Sequence, residues 1–246
     1  MNVWTYWDGP MPDRIRLCLK TIQHHEPSVT VMTENYLRNK MRAFGDDNDI
    51  GRLEYNHRSD YARWFILAHE GGIWLDADCI LLRSLAWFRD HASMADFFHY
   101  QRFIGSSDYP SAFLASERGG AVVASCYEAC RQIVASGERL KWTTIGPKLL
   151  RGVCEEESSG GTCVWTMPGQ LIHPIPWRPE HWLEKFWIDR SDDEHGKLVN
   201  PHAWMYMLTR KSFGPLEHQD EGTILAGRSF MSYLFRRALG RTRYGT

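Results

Sequence analysis

The sequence predicts an α/β protein built on a largely parallel sheet, and three observations carry that expectation. A β-branched and aromatic opening, Val3 to Trp7, is followed by an apolar-periodic stretch and a second short apolar run. That strand, helix, strand order implies parallel neighbours. The same alternation returns between Asp60 and Leu75, where a helical pattern, a Gly-Gly pair and a short continuous apolar run follow one another. Composition agrees: 246 residues, 43% hydrophobic and 24% charged, is globular, with length for one large α/β domain.

Taken in order, Val3 to Trp7 reads as a strand that stops at Asp8-Gly9-Pro10. From Asp13 to about His25, Ile15, Leu17, Leu19 and Ile22 fit a helix that Pro27 closes, and Val29 to Thr33 is the next strand. Ligands of such sheets gather beyond the carboxyl ends of the strands, so the loop after Trp7 is a candidate site wall. The acidic stretch from Gly45 to Gly51 resembles a calcium loop. Counting from Asp46, however, puts Ile50 fifth and His57 twelfth, where oxygen ligands are required, so it reads as a solvated turn.

Ser59 can cap a helix from Asp60 to about Glu70, and Gly71-Gly72 supplies the left-handed exit that helix ends favour. Ile73 to Leu75 then forms a buried strand that delivers Asp76-Ala77-Asp78, with Ile80 to Leu82 resuming the apolar run. Later elements are strands at Phe97 to Tyr100 and Ser111 to Ala115, a helix from Gly120 to Ser136, and a short helix opened by Thr144-Ile145-Gly146-Pro147. Cys163 to Thr166 and Leu171 to His173 read as strands, Pro174 to Trp187 as an aromatic, Pro-rich connection, and Asp189 to Lys197 as a charged loop. With no repeat or linker, residues 1–227 read as one domain and 228–246 as a basic terminal segment.

Charge and composition exclude several classes. With 29 basic and 30 acidic residues there is no field to attract nucleic acid. The first ten residues lack a basic, apolar export signal, and no uninterrupted apolar stretch is long enough to span a membrane. Six cysteines without a CxxC pair read as reduced thiols of a cytoplasmic protein, a Cys154/Cys163 bridge being the alternative.

Two carboxylates at a strand tip carry the chemistry. A bare D-x-D is weak, since chance gives roughly one in this chain, and Asp47-Asn48-Asp49 is another. Asp76 and Asp78, however, follow a buried strand and stand two apart on extended backbone, so both can approach one cation. Hard oxygen ligands select Mg²⁺ or Mn²⁺, usually shared with substrate phosphates. Asp60 and Arg63, three apart on a helix face, read by spacing alone as a surface ion pair.

Arg58-Ser59-Asp60-Tyr61-Ala62-Arg63, followed by Gly71-Gly72-Ile73-Trp74-Leu75-Asp76-Ala77-Asp78, resembles the signature of the DXD-containing sugar transferases. These include the glycosyltransferase family 32 type and the capsular polysaccharide synthesis proteins. The opening Val3 to Gly9 is similar to the start of the capsular group, and Thr144-Ile145-Gly146-Pro147 resembles the family's T-G-P helix opening with Ile145 interposed. The match is ordered from residue 1 to about 82 and patchy beyond.

The resemblance implies a single-domain GT-A fold and transfer of a sugar, with retention, from a nucleotide-sugar donor, most often a UDP-sugar. The acceptor it implies is a glycan or lipid-linked saccharide of a surface polysaccharide. It places Tyr6 and Trp7 at the base, Asp60 and Arg63 at the donor's sugar and ribose, and Asp76 at the sugar or ribose and beside the metal. Asp78 would bind Mn²⁺ or Mg²⁺, with His202 as the late histidine that completes the metal shell.

Two features stand outside that frame. The C-terminal segment Arg228 to Arg243 holds five arginines and no acid, with Phe230, Tyr233 and Leu234 at helical spacing. It reads either as a helix packed on the domain or as a basic amphipathic helix on an anionic membrane. Rival activities are a haloacid dehalogenase-like phosphatase, which also places D-x-D after an apolar strand, and a non-catalytic nucleotide-sugar-binding module.

Overall fold

The computed structural model describes residues 1–103, 105–174, 187–208 and 216–242. Two compact units interleave along the sequence: Met1–Gly9, Ser28–Asp76 and Ala86–Pro168 form the first, and Pro10–Pro27, Ala77–Leu85 and Gly169–Thr246 the second.

The first unit is built on a six-stranded sheet in the order β2-β1-β3-β6-β5-β7. Its strands are β1 (Val3–Tyr6), β2 (Thr30–Met32), β3 (Gly72–Leu75), β5 (Phe97–Gln101), β6 (Phe113–Ser116) and β7 (Val164–Pro168). β1 runs parallel to β2 and β3, and β5 parallel to β7, as the alternating pattern predicts. β6 departs from it, pairing antiparallel with both β3 and β5. The chain turns back from β5 into β6 without a crossover helix, and an antiparallel neighbour needs only such a loop. The carboxyl ends of the other five strands consequently share one edge.

Both faces of β1, β3, β5 and β6 are buried, so their sequences are continuous apolar runs. Helix α3 (Tyr55–Glu70) packs on β1, β3 and α5 (Ala121–Ala135), which in turn packs on α6 (Pro147–Ser159). Trp64, Phe65, Trp74, Phe97 and Leu114 are central to this core. α3 begins at Tyr55, so Ser59 lies inside the helix and is not its cap; the residue in that role, Glu54, makes no side-chain capping bond. Tertiary contacts fix the early start: Tyr55 packs on the rings of Tyr6 and Trp7, and His57 Nε2 lies 3.2 Å from the Lys141 carbonyl.

α3 leaves through Gly71 (φ 65°) and Gly72 (φ 112°), and a Cβ on Gly71 would come within 2.4 Å of the Arg118 nitrogen. Only glycine serves at that exit. A helix not foreseen in the sequence, α2 (Glu34–Ala43), is capped by Thr33, whose hydroxyl accepts from the Tyr36 nitrogen at 3.3 Å, and it buries Leu37 and Met41. The acidic turn after it is not wholly solvated. Asp46 is buried and accepts from the hydroxyls of Tyr61 and Tyr127, a carboxylate serving as an internal tie.

In the second unit, α1 (Asp13–His25) packs on β4 (Cys79–Leu81), which pairs antiparallel with β8 (Met205–Met207). The Thr21 hydroxyl accepts from the Leu81 nitrogen at 3.0 Å, tying helix to strand. The predicted strand at Leu171 to His173 is instead a helical turn over Gly169–Leu171, although its backbone still bonds to β8's chain through Leu171 and Ile172 carbonyls. The charged stretch after Asp189 contains a helix, α7 (Asp192–Gly196), started by a reciprocal capping box of Ser191 and Glu194. Most of the Pro174 to Trp187 connection, 175–186, lies outside the described residues.

Helix α8 (Glu221–Ala226) leads into α9 (Phe230–Ala238), which packs on α1, α7, α8 and β4. Its apolar face is spent inside the unit: Phe230, Met231, Tyr233, Leu234 and Phe235 are all buried. Arg236 is buried too, paired with Asp192 and donating to the carbonyls of Leu225 and Gly227. The surface a membrane would need is therefore covered, and the packed-helix alternative describes this segment. No helix among the described residues is long and apolar enough to cross a membrane. All six cysteines are free thiols, Cys154 buried and Cys163 exposed.

Candidate functional site

At the carboxyl edge of the first unit's sheet, three charged residues form one hydrogen-bonded group. α3 carries Asp60 and Arg63 on its sheet-facing side, and β3 delivers Asp76 as its first residue beyond Leu75. Arg63 Nη1 donates to Asp60 Oδ1 and, at 2.6 Å, to the Ser111 hydroxyl, while Nη2 donates to Asp76 Oδ1 at 2.8 Å. The pair that spacing alone assigned to the surface is thus a buried bridge, with the Arg63 side chain 3% exposed. Its guanidinium also lies 5.1 Å from the centroid of the Trp74 ring.

Burial pushes the Asp60 carboxyl up, Arg63 pulls it down, and the nearby Asp76 adds to the upward push. For Arg63, burial works against the charge, but Asp76 and Asp60 outweigh it and hold the guanidinium firmly protonated. The arginine's charge is therefore committed to two carboxylates.

Asp76 Oδ1 accepts from Arg63 and, at 2.7 Å, from Trp74 Nε1. Its Oδ2 has no donor among the described residues, and the side chain is 28% exposed. A hard, oriented, accessible oxygen of this kind fits Mn²⁺ or Mg²⁺. Among the described residues no three His, Cys, Asp or Glu side chains gather into a complete metal site. A loop closes over the other carboxylate: Trp64 Nε1 donates to the Ile145 carbonyl at 2.6 Å, and a Cβ on Gly146 would meet Asp60 Oδ2 at 2.8 Å. The glycine of the Thr144-Ile145-Gly146-Pro147 turn is thus required by contact.

Beside this group, Tyr6 and Trp7 stand at the exit of β1, as expected. Trp7 packs edge-on against Tyr55 with 5.4 Å between ring centroids. Tyr6 Oη, Trp7 Nε1 and Asn56 Nδ2 are buried without partners among the described residues, three polar groups that a ligand can satisfy. Burial, with Asp8 adding to it, pushes the Tyr6 hydroxyl up to about 12, so it is a donor at neutral pH. Arg58 pairs with Glu34 and lies 3.8 Å from Asp8, locking β1's exit to the start of α2.

Asp78 and His202 belong to the second unit. The Asp78 carbonyl accepts from the Leu208 nitrogen at 3.0 Å, whereas Leu81 pairs with Met205. His202, exposed and three residues before Met205, therefore lies at the opposite end of the β4–β8 ribbon from Asp78. His173 adjoins the Asp78 end instead, because the Ile172 carbonyl accepts from the Met207 nitrogen, opposite Cys79.

Sequence reading missed Ser111, Asn56, His57 and the contact role of Gly146. Only Gly146 had a signal, its position in the resembled turn.

Comparison with known proteins gives this arrangement relatives. Residues 12–98 match the family described as glycosyltransferase sugar-binding region containing DXD motif. Lactosylceramide 4-alpha-galactosyltransferase of Rattus norvegicus is 31% identical over 179 residues, covering 66% of this chain and 46% of the relative. The enzyme of that name from Homo sapiens is 28% identical over 164 residues, 63% of this chain and 42% of its own. The chain thus spans less than half the length of these curated relatives.

Among solved structures, the glycosyltransferase GlyE of Streptococcus pneumoniae TIGR4 aligns with a TM-score of 0.52 at 10% identity, over 97% of this chain and 60% of that one, which speaks for the fold alone. The fold is of the GT-A type. Residues 12–98 thus resemble the DXD-containing sugar-binding region of glycosyltransferases, and the chain is similar over that part to the relatives named above.

Proposed function

We propose that this protein transfers a sugar, with retention, from a UDP-sugar to a saccharide acceptor, using a divalent cation. The observation that carries the reading is the buried Arg63 fork that holds Asp60 and Asp76 at the carboxyl edge of the sheet, beside the unpartnered donors of Tyr6, Trp7 and Asn56. The names of the relatives favour galactose as the sugar and a glycolipid bearing lactose as the acceptor.

Arg63 acts as a positioning residue. Its charge is already neutralised, so its work is to fix two carboxylates whose remaining oxygens accept hydroxyls of the donor's sugar and ribose. Tyr6, Trp7 and Asn56 offer the base polar hydrogens and aromatic surface, and the rings shield it from water. Asp76 and Asp78 would hold Mn²⁺ or Mg²⁺, which when bound supplies Lewis-acid neutralisation of the charge that develops on the departing diphosphate. Gly146 keeps the loop against Asp60, where any larger residue would meet its oxygens.

Calorimetry with UDP-, GDP- and CMP-sugars, with and without Mn²⁺, tests the proposal. The expected result is binding of a UDP-sugar only with the cation, lost in Asp78→Ala while the circular dichroism spectrum is unchanged. Failure of every nucleotide sugar to bind, or cation-independent binding that survives Asp78→Ala, would overturn it.

A further inference from the structure

Two large aromatic side chains stand in solvent on loops that begin or end at the charged trio. Trp142 is 74% exposed and Phe103 76%. Single exposed aromatics are ordinary on protein surfaces; what marks these two is that each stands on a loop tied to the charged trio.

Both loops are firmly held. Trp142 sits in a turn closed twice, by Thr144 nitrogen to the Lys141 carbonyl at 2.9 Å and by Lys141 nitrogen to the Thr144 hydroxyl at 3.0 Å. The turn is fastened to α3 through the His57 contact on the Lys141 carbonyl and through the Trp64 bond to Ile145. Trp142 is four residues from Gly146, which abuts Asp60, so its Cα lies within about 14 Å of that glycine's.

Phe103 follows β5, two strands and so about 10 Å from β3 in the same sheet. The Gln101 side chain braces its loop, accepting from the Gly105 nitrogen at 2.9 Å and donating to the Ser106 carbonyl at 3.1 Å. The same connection ends at Ser111 and Ala112, which bond Arg63 and the Asp76 nitrogen.

We infer that Trp142 and Phe103 form the acceptor subsite, a pair of aromatic platforms that stack on the apolar faces of a saccharide and present its hydroxyl to the donor. The inference rests on the proposed transfer reaction. Saccharides suit the pair because their rings expose flat C–H faces that pack on aromatic surface, while their hydroxyls stay hydrated. Preformed loops add affinity, since little ordering accompanies binding.

The test is saccharide binding by the full chain loaded with UDP and Mn²⁺, titrated with lactose and a panel of methyl glycosides and read by saturation-transfer NMR. UDP-sugar affinity is measured on the same samples by calorimetry. Trp142→Ala is expected to weaken saccharide binding about tenfold, or about 1.4 kcal/mol. Trp142→Phe should stay near the wild type, and Phe103→Ala should lose a smaller factor, all with donor affinity unchanged.

Unaltered saccharide affinity in Trp142→Ala, no saccharide binding by the wild-type chain, or a parallel loss of donor affinity would overturn the subsite. If the wild-type chain binds no nucleotide sugar at all, it is the transfer reading that fails.

Discussion

Replacing Arg63 by methionine keeps an unbranched apolar stem and removes the guanidinium fork, which lies over the rings of Trp64 and Trp74. Three hydrogen bonds disappear: to Asp60, to Ser111 at 2.6 Å and to Asp76 at 2.8 Å. Asp60, only 7% exposed, then loses its cation while Asp76 stays nearby. Breaking one side of a buried ion pair costs about 3–5 kcal/mol, because the remaining charge is left uncompensated. That is a large share of the roughly 5–15 kcal/mol that holds a typical domain folded.

Burial already pushes Asp60 up, so without Arg63 its folded pKa rises further above the unfolded value. A raised carboxyl destabilises while the unfolded form is ionised, and that penalty fades as pH falls and the native carboxyl takes up its proton. The deficit of Arg63→Met should therefore be larger at pH 8 than at pH 5, and adding Asp60→Asn should recover at least half of it. Urea unfolding followed by tryptophan fluorescence and circular dichroism measures this, provided the two probes coincide. A loss under about 1 kcal/mol, or no recovery in the double variant, would refute the claim that the trio is one electrostatic unit.

Further expectations follow from single contacts. Gly146→Ala drives a Cβ to 2.8 Å from Asp60 Oδ2, on a carboxylate whose Oδ1 Arg63 holds in place, so thermal unfolding should show about 1–3 kcal/mol of overpacking cost and calorimetry a weaker donor. Unchanged stability and affinity would mean that the loop relaxes freely. Burial lowers His99 to about 4, so the unfolded chain binds a proton first as pH falls from about 6.5. Stability contributed by the neutral ring is then lost between those values, by about 3 kcal/mol. His99→Gln should flatten that part of the profile, and an identical slope in the variant would count against it.

Local order was largely legible because it is written in local physics. The Gly71-Gly72 exit, the alternation through β1, α1 and β2, and the buried run Ile73 to Leu75 each follow from backbone freedom or periodicity, and the structure keeps them. Where sequence reasoning failed, contacts from afar decided. α3 starts at Tyr55 because Tyr6, Trp7 and the Lys141 carbonyl receive its first turn. β6 runs against its neighbours because of how β5 returns, and α9 is buried because α1, α7, α8 and β4 cover it.

The site divides in the same way. Sequence by itself supplied the chemistry: which carboxylates stand at a strand tip, which arginine lies one helical turn from Asp60, and which aromatics close the first strand. Tertiary structure alone decided their state, turning a supposed surface pair into a buried bridge, closing Gly146 against Asp60 and separating His202 from Asp78. Residue type and spacing govern short-range backbone geometry, whereas the dielectric around a charge and the partner it meets depend on segments distant in the chain.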